Sequence, residues 1–235
     1  AVCVSRPTNP TGNVLTVEEL RRLSDMTREA GIPLMIDNAY GAPFPGITNE
    51  DVEPYWDEHV ILSLSLSKLG LPGTRTGIVI APENIIAALS AANANVSLAS
   101  GNVGQAMVTA CIEDGRILEF CQQVVRPFYR ERFEQAMIWV NDYFDADLPW
   151  RLHKWEGAMF LWLWCRDMPI SAAVLYERLK TRGVLVVPGH HFFYGMHDGW
   201  SHRQECIRIN FSQPDKVVRE GLRIMSQEIS TAYAS

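Results

Sequence analysis

Leu34-Met35-Ile36-Asp37-Asn38-Ala39-Tyr40 is the stretch on which the fold turns. Three large apolar residues follow the helix stop at Gly31 and end abruptly at a carboxylate. A run that short reads as a buried strand rather than a helix. The pattern recurs on both sides. Val2-Cys3-Val4 runs into the turn-rich Ser5-Arg6-Pro7-Thr8-Asn9-Pro10-Thr11-Gly12, and Val60 to Leu64 runs into Ser65-Leu66-Ser67-Lys68. Gly77 to Ala81 is a fourth strand. Helices separate them. Thr16 and Glu19 form a capping box ahead of Leu20, Leu23, Thr27 and Ala30, and a second helix is predicted from about Glu83 to Ala92. Short apolar strands alternating with helices predict an α/β fold with a mostly parallel sheet covered on both faces.

The second half changes character. Gly115 to Phe144 is a long helical pattern that Pro127 should kink. A domain boundary is placed there, with a large domain over 1–125 and a smaller α/β domain over 126–235. In the latter, Ala158 to Trp164, Val184 to Val187 and Cys206 to Phe211 read as strands. Ser171 to Arg182 reads as a helix closed by Gly183. A last helix after Pro214 carries Val218, Leu222, Met225 and Ile229 on one stripe.

With 235 residues there is room for one large domain or two modest ones. A net charge of -6 and no basic run make phosphate-backbone binding to nucleic acid a poor default. No apolar run approaches the roughly 18 residues of a membrane-spanning helix. Five scattered cysteines, without a CxxC pair, suggest a reducing, cytoplasmic setting and neither a disulfide framework nor a zinc ribbon. The chain opens inside a strand, so it is expected to be part of a longer protein.

Polar residues collect at the predicted strand ends: Asn9, the pair Asp37 and Tyr40, and the group Ser65, Lys68 and Arg75. Ligands of open α/β sheets bind outside those ends. Each residue alone has an ordinary structural reading as a turn, cap or surface charge. Together they suit one ligand. A desolvated lysine is a carbonyl nucleophile, and an arginine with hydroxyls suits a phosphate. An aspartate suits a protonated ring nitrogen, and Tyr40 and Asn9 suit a phenolate oxygen. That describes pyridoxal 5'-phosphate. Arg208, centred between Ile207 and Ile209, needs a partner or an anionic ligand.

Asn9-Pro10-Thr11-Gly12, Asp37-Asn38-Ala39-Tyr40, Ser65-Leu66-Ser67-Lys68, Leu71-Pro72-Gly73-Thr74-Arg75-Thr76-Gly77 and Arg208-Ile209-Asn210-Phe211-Ser212 resemble, in order and spacing, the class I and II aminotransferases of fold type I. The resemblance implies that Lys68 carries pyridoxal phosphate covalently and moves the substrate proton. It implies that Asp37 pairs with the pyridine nitrogen, Tyr40 and Asn9 with the ring oxygen, and Ser65 and Arg75 with the phosphate. Arg208 would hold the substrate carboxylate. Trp155-Glu156-Gly157-Ala158-Met159-Phe160 and Val186-Val187-Pro188-Gly189 are similar to small-domain motifs of the family. The strings Ser5 to Val14, Ser67 to Arg75 and Pro188 to Phe193 carry a narrower resemblance, to the branch that exchanges valine with pyruvate. Phe192-Phe193-Tyr194 would suit an apolar side-chain pocket.

Two departures stand out. Lys68 and Arg75 are seven apart, one fewer than in many members. The family's upstream part, with its glycine-containing phosphate turn, its ring stacked on the cofactor and its tyrosine reaching the neighbouring subunit, has no counterpart. The chain is therefore expected to be the C-terminal part of an enzyme and not to act alone. A homodimer is implied, with Ser97 to Gln105 where members reach toward the partner's cofactor. Two alternatives share the cofactor: an aminotransferase-like domain of a transcription regulator, and another reaction such as β-elimination. His190, His191, His197, His202 and Cys206 crowd a short stretch but match no standard zinc spacing, and no metal is expected.

Overall fold

The computed structural model describes residues 1–196 and 199–234. Two compact units make up the chain. The first comprises residues 1–8, 13–128 and 156–158, and the second residues 9–12, 129–155 and those from 159 onward. Among the described residues, no helix is long and apolar enough to cross a membrane.

The first unit is built on a four-stranded sheet of β1 (Val2–Ser5), β2 (Leu34–Asn38), β3 (Val60–Ser65) and β4 (Gly77–Ile80), in that order. β1 pairs with β2 and β2 with β3 in parallel, whereas β4 returns antiparallel to β3. Leu34, Ile36, Val60, Leu62 and Leu64 form one buried face with Leu20 of α1 (Val17–Glu29). The expected cover on both faces is seen on only one among the described residues. Met35, Ile61, Ser63 and Ser65 on the other face are half-buried and Asp37 is exposed. β3 alternates Leu62 and Leu64 on the buried face with Ser63 and Ser65 on the other.

α1 starts where the capping box places it. Thr16 accepts from the Glu19 N–H at 3.1 Å, and Glu19 accepts from the Thr16 N–H at 2.8 Å. The buried stripe is Leu20, Ser24 and Thr27, while Ala30 lies exposed. Beneath α1, Asp57 accepts hydrogen bonds from Ser24 and Tyr55, each at 2.7 Å, and from the His59 N–H. Burial pushes the Asp57 carboxyl up, but those hydrogen bonds and the Arg28 charge outweigh it and hold the carboxyl below its ordinary value.

β4 leads into α2 (Glu83–Ser97), five residues longer than expected, and α3 (Asn102–Glu113), which the sequence reading did not identify. Gly104 of α3 packs against the loop that carries Arg75. A Cβ there would stand 2.8 Å from the Thr74 Cβ and 2.9 Å from the Thr76 Cβ. The long helical pattern resolves into α4 (Arg116–Phe120), a π-helical turn over Cys121–Val125, and α5 (Arg126–Tyr143). The Arg126 N–H reaches back to the Cys121 carbonyl, and this wider turn precedes Pro127, which has no N–H to give.

The second unit holds an antiparallel sheet in the order β5 (Trp150–Leu152), β6 (Phe160–Cys165), β8 (Cys206–Asn210), β7 (Val187–Pro188). The expected strand from Val184 to Val187 shrinks to the two residues of β7, paired to β8. Val184 instead closes the end of α6 (Ala172–Thr181), where its N–H donates to the Leu179 carbonyl. β5, led by Trp150, escaped the sequence reading because three residues carry no periodicity. α6 packs against α7 (Asp215–Ala234), and Leu175, Leu179, Ile207 and the predicted stripe Val218, Leu222, Met225 and Ile229 are all buried.

Two outcomes follow for stability. The Asp57 carboxyl is lowered in the folded state, so its stabilisation is present above the unfolded value of about 4 and lost as pH falls through the folded value. Asp57→Asn should cost about 1–2 kcal/mol at pH 7 and progressively less toward pH 3, read by denaturant unfolding at each pH. Gly104→Ala should cost about 1–3 kcal/mol through overpacking against Thr74 and Thr76, read as a lowered thermal midpoint.

Candidate active site

The parallel register sets the first group of residues. Ser5 lies beside Asp37 and Asp37 beside Ser63, so the C-terminal ends of β1, β2 and β3 share one edge. Asp37 accepts from the Ser63 hydroxyl at 3.3 Å and from the Ala39 N–H at 3.2 Å. Its carboxylate is exposed at that edge. Ser65 ends β3 and its hydroxyl accepts from the Ser67 N–H at 3.2 Å.

Lys68 sits in a single 3₁₀ turn, Ser67–Leu69, closed by Gly70 at a φ of 93°. Leu66 is fully buried just before it, and its N–H donates to the Thr76 carbonyl at 3.2 Å. One buried leucine thus anchors a turn whose lysine stays half-buried. The Lys68 ammonium stands 5.6 Å from the centre of the Tyr40 ring. Sequence positions 28 apart meet here.

Arg75 follows a second 3₁₀ turn, Pro72–Thr74, and holds a left-handed φ of 52°. For a non-glycine residue that conformation costs about 1–2 kcal/mol, and such outliers gather where function requires them. Its guanidinium donates to the Pro72 carbonyl at 3.2 Å and is exposed.

In the second unit, Arg208 and Asn9 meet although 199 residues separate them: Arg208 Nη1 donates to Asn9 Oδ1 at 2.6 Å. Arg208 lies on β8 with Ile207 and Ile209 buried on the opposite face. The guanidinium is half-buried, and its carbon lies 4.3 Å from the centre of the Phe160 ring.

Three supporting residues stand inside the quoted motifs but were given no role by the sequence reading. Arg6 is buried and spans two loops, with Nε on the Leu15 carbonyl at 2.7 Å and Nη1 on the Glu53 carbonyl at 2.8 Å. Burial lowers its pKa. Asn38 is buried and donates to the Ala42 carbonyl, tying down the turn that presents Tyr40. Glu156 accepts from the Val14 N–H at 2.9 Å. Their signal was weak because a backbone carbonyl or N–H, the partner in each case, has no signature in the sequence.

Among the described residues, no group of three or more histidine, cysteine or acidic side chains is placed to hold a metal ion. His202 does approach Cys206, at 3.5 Å from its sulfur, whereas His197 lies outside the described residues. Burial pushes the Cys206 thiol up to about 12.

The donor set of the first unit suits a phosphorylated pyridine aldehyde. A carboxylate, a hydroxyl, an amine beside a phenol ring and a guanidinium all lie at or just after the C-terminal ends of β2 and β3, and their chemistry complements a ring nitrogen, a carbonyl and a phosphate.

Comparison with known proteins agrees. The family model for aminotransferase class I and II matches residues 1–224. The chain is 47% identical to the valine–pyruvate aminotransferase of Escherichia coli K12 over 233 residues, which is 99% of this chain and 56% of that protein. The crystal structure of valine–pyruvate aminotransferase from Salmonella typhimurium LT2 superposes with a TM-score of 0.94 at 46% identity, covering 99% of this chain and 60% of that one. A solved chain from Psychrobacter arcticum 273-4 reaches a TM-score of 0.96 at 43% identity, with 99% and 53% covered. The chain thus spans about half the length of these relatives. With ordered motifs, strand-end chemistry and a near-complete family match all in agreement, this chain belongs to the class I and II aminotransferases.

Proposed function

We propose that the protein carrying this chain transfers the amino group of valine to pyruvate with pyridoxal 5'-phosphate, giving 2-oxoisovalerate and alanine. The observation that carries the reading is the 47% identity, over 99% of this chain, to a valine–pyruvate aminotransferase. In this reading residues 1–125 form the cofactor-binding domain and residues 126–235 the small domain. The protein acts as a cytoplasmic homodimer on small-molecule amino and 2-oxo acids.

The proposed roles follow from the chemistry of each group. Arg208, already oriented by Asn9, binds the carboxylate common to valine, pyruvate and both products, using its planar fork of donors. Asn9 and Tyr40 serve the ring oxygen of the cofactor. Asp37 keeps a proton on the ring nitrogen, where its negative charge favours the charged form. Ser65 and Arg75 hold the phosphate. When bound, the cofactor supplies an electron-withdrawing ring that accepts the electrons released at the substrate α-carbon. Lys68 Nζ takes the proton from that carbon and delivers it back one position along, as a general base and then a general acid. The Tyr40 ring beside the ammonium limits where Nζ can swing.

Incubating the purified protein with L-valine and pyruvate should yield 2-oxoisovalerate and alanine in equal amounts. Appearance of elimination products, or cofactor binding without turnover, would displace the reading. Lys68→Ala should lower kcat by at least about 10²-fold. It should also abolish the borohydride-fixed cofactor adduct on the peptide containing residue 68, and an adduct on a different lysine would reassign the role. Arg208→Lys should raise KM for valine and pyruvate alike, by roughly 10- to 100-fold, because a point charge replaces a two-pronged contact.

A further inference from the structure

Arg208 is the cation at the centre of an apolar strand, and its surroundings in the second unit are aromatic. Trp162 of β6 is its direct cross-strand partner. Phe160, two residues earlier on the same face, places its ring centre 4.3 Å from the guanidinium carbon. From the other flank, Val187 of β7 pairs with Arg208, and the chain then turns through Gly189–Phe192. That turn returns the Phe192 ring to 5.1 Å from the same guanidinium carbon.

Both rings are held by their surroundings. Phe160 is buried at 4% exposure. Phe192 meets Trp162 edge-on, with centres 5.7 Å apart and planes at 87°. The turn lies tight against β8 because Gly189 has no side chain: a Cβ there would stand 2.6 Å from both the carbonyl oxygen and the Cβ of Cys206. The sequence Val187-Pro188-Gly189-His190-His191-Phe192 therefore sets where one ring sits, and β6 sets the other.

We infer that Phe160 and Phe192 form an aromatic clamp that positions Arg208 for a carboxylate. Aromatic faces attract a guanidinium through their quadrupole, and they do so without neutralising it as a carboxylate would. Two rings against one guanidinium limit its swing before any ligand arrives. An unrestrained arginine would lose that rotamer freedom on binding. Asn9 adds a directional hydrogen bond to Nη1 at 2.6 Å. The clamp is thus a positioning device acting through Arg208, and it rests on the proposed reaction only for the identity of the carboxylate.

Phe192 is the informative position because it is only half-buried, whereas Phe160 belongs to the core. In the purified protein, Phe192→Leu should raise KM for both L-valine and pyruvate by about 2- to 30-fold, the range a cation–π contact spans, with kcat held within about 2-fold. Binding of 3-methylbutanoate, a carboxylate with nothing to transaminate, should weaken by the same factor in calorimetry. Phe192→Tyr, which keeps the ring, should restore both quantities. If Phe192→Leu binds 3-methylbutanoate as tightly as the unsubstituted protein, the clamp is overturned, even where valine is transaminated. A lowered kcat with unchanged binding, unrestored by Phe192→Tyr, would also overturn it. If the unsubstituted protein fails to transaminate valine yet the Phe192→Leu binding loss and its Phe192→Tyr rescue are seen, the reaction falls and the clamp stands.

Discussion

The parallel pairing of three short strands is the constraint from which the first unit follows. Parallel strands point the same way, so whatever ends one strand lies beside whatever ends the next. In register, Ser5 stands by Asp37 and Asp37 by Ser63. That places a carboxylate, hydroxyls and the lysine-bearing turn at one sheet edge before any side chain touches another. The apolar face made by Leu34, Ile36, Val60, Leu62 and Leu64 holds this register, because a slip of one residue would turn that face outward.

Loops then convert the edge into chemistry, and they are held by a few buried groups. Leu66 is fully buried and pins the turn of Lys68. Asn38 and Arg6 donate to backbone carbonyls of the loops and tie them down. The left-handed backbone at Arg75 is tolerated because its flanks are fixed, by β4 after it and by the close packing of Gly104 on Thr74 and Thr76. In the second unit the logic is inverted. A charge sits in the middle of a strand, and two rings and an amide lie against it.

Much of the fold was legible from residue pattern. The Thr16–Glu19 box marked the start of α1, and the four-residue stripe of α7 marked its core face. Both signals are local: a cap spans one turn and a stripe repeats every turn. Features that depend on distant partners were not legible. The strand expected at Val184 to Val187 has the right composition, yet its first residues close α6 and only Val187 and Pro188 pair. Likewise β3 read as apolar on both faces, although its serines divide it.

The site shows the same division. The sequence by itself determined the family, the strand-end chemistry and the candidates Asn9, Asp37, Tyr40, Ser65, Lys68, Arg75 and Arg208, since residue type and order survive without coordinates. Only the tertiary structure decided that Lys68 lies beside the Tyr40 ring, that Asn9 holds Arg208, and that Phe160 and Phe192 flank the same guanidinium. Those pairings join residues from different strands and turns. Their energies depend on distance and orientation, and neither is written along a chain until packing closes it.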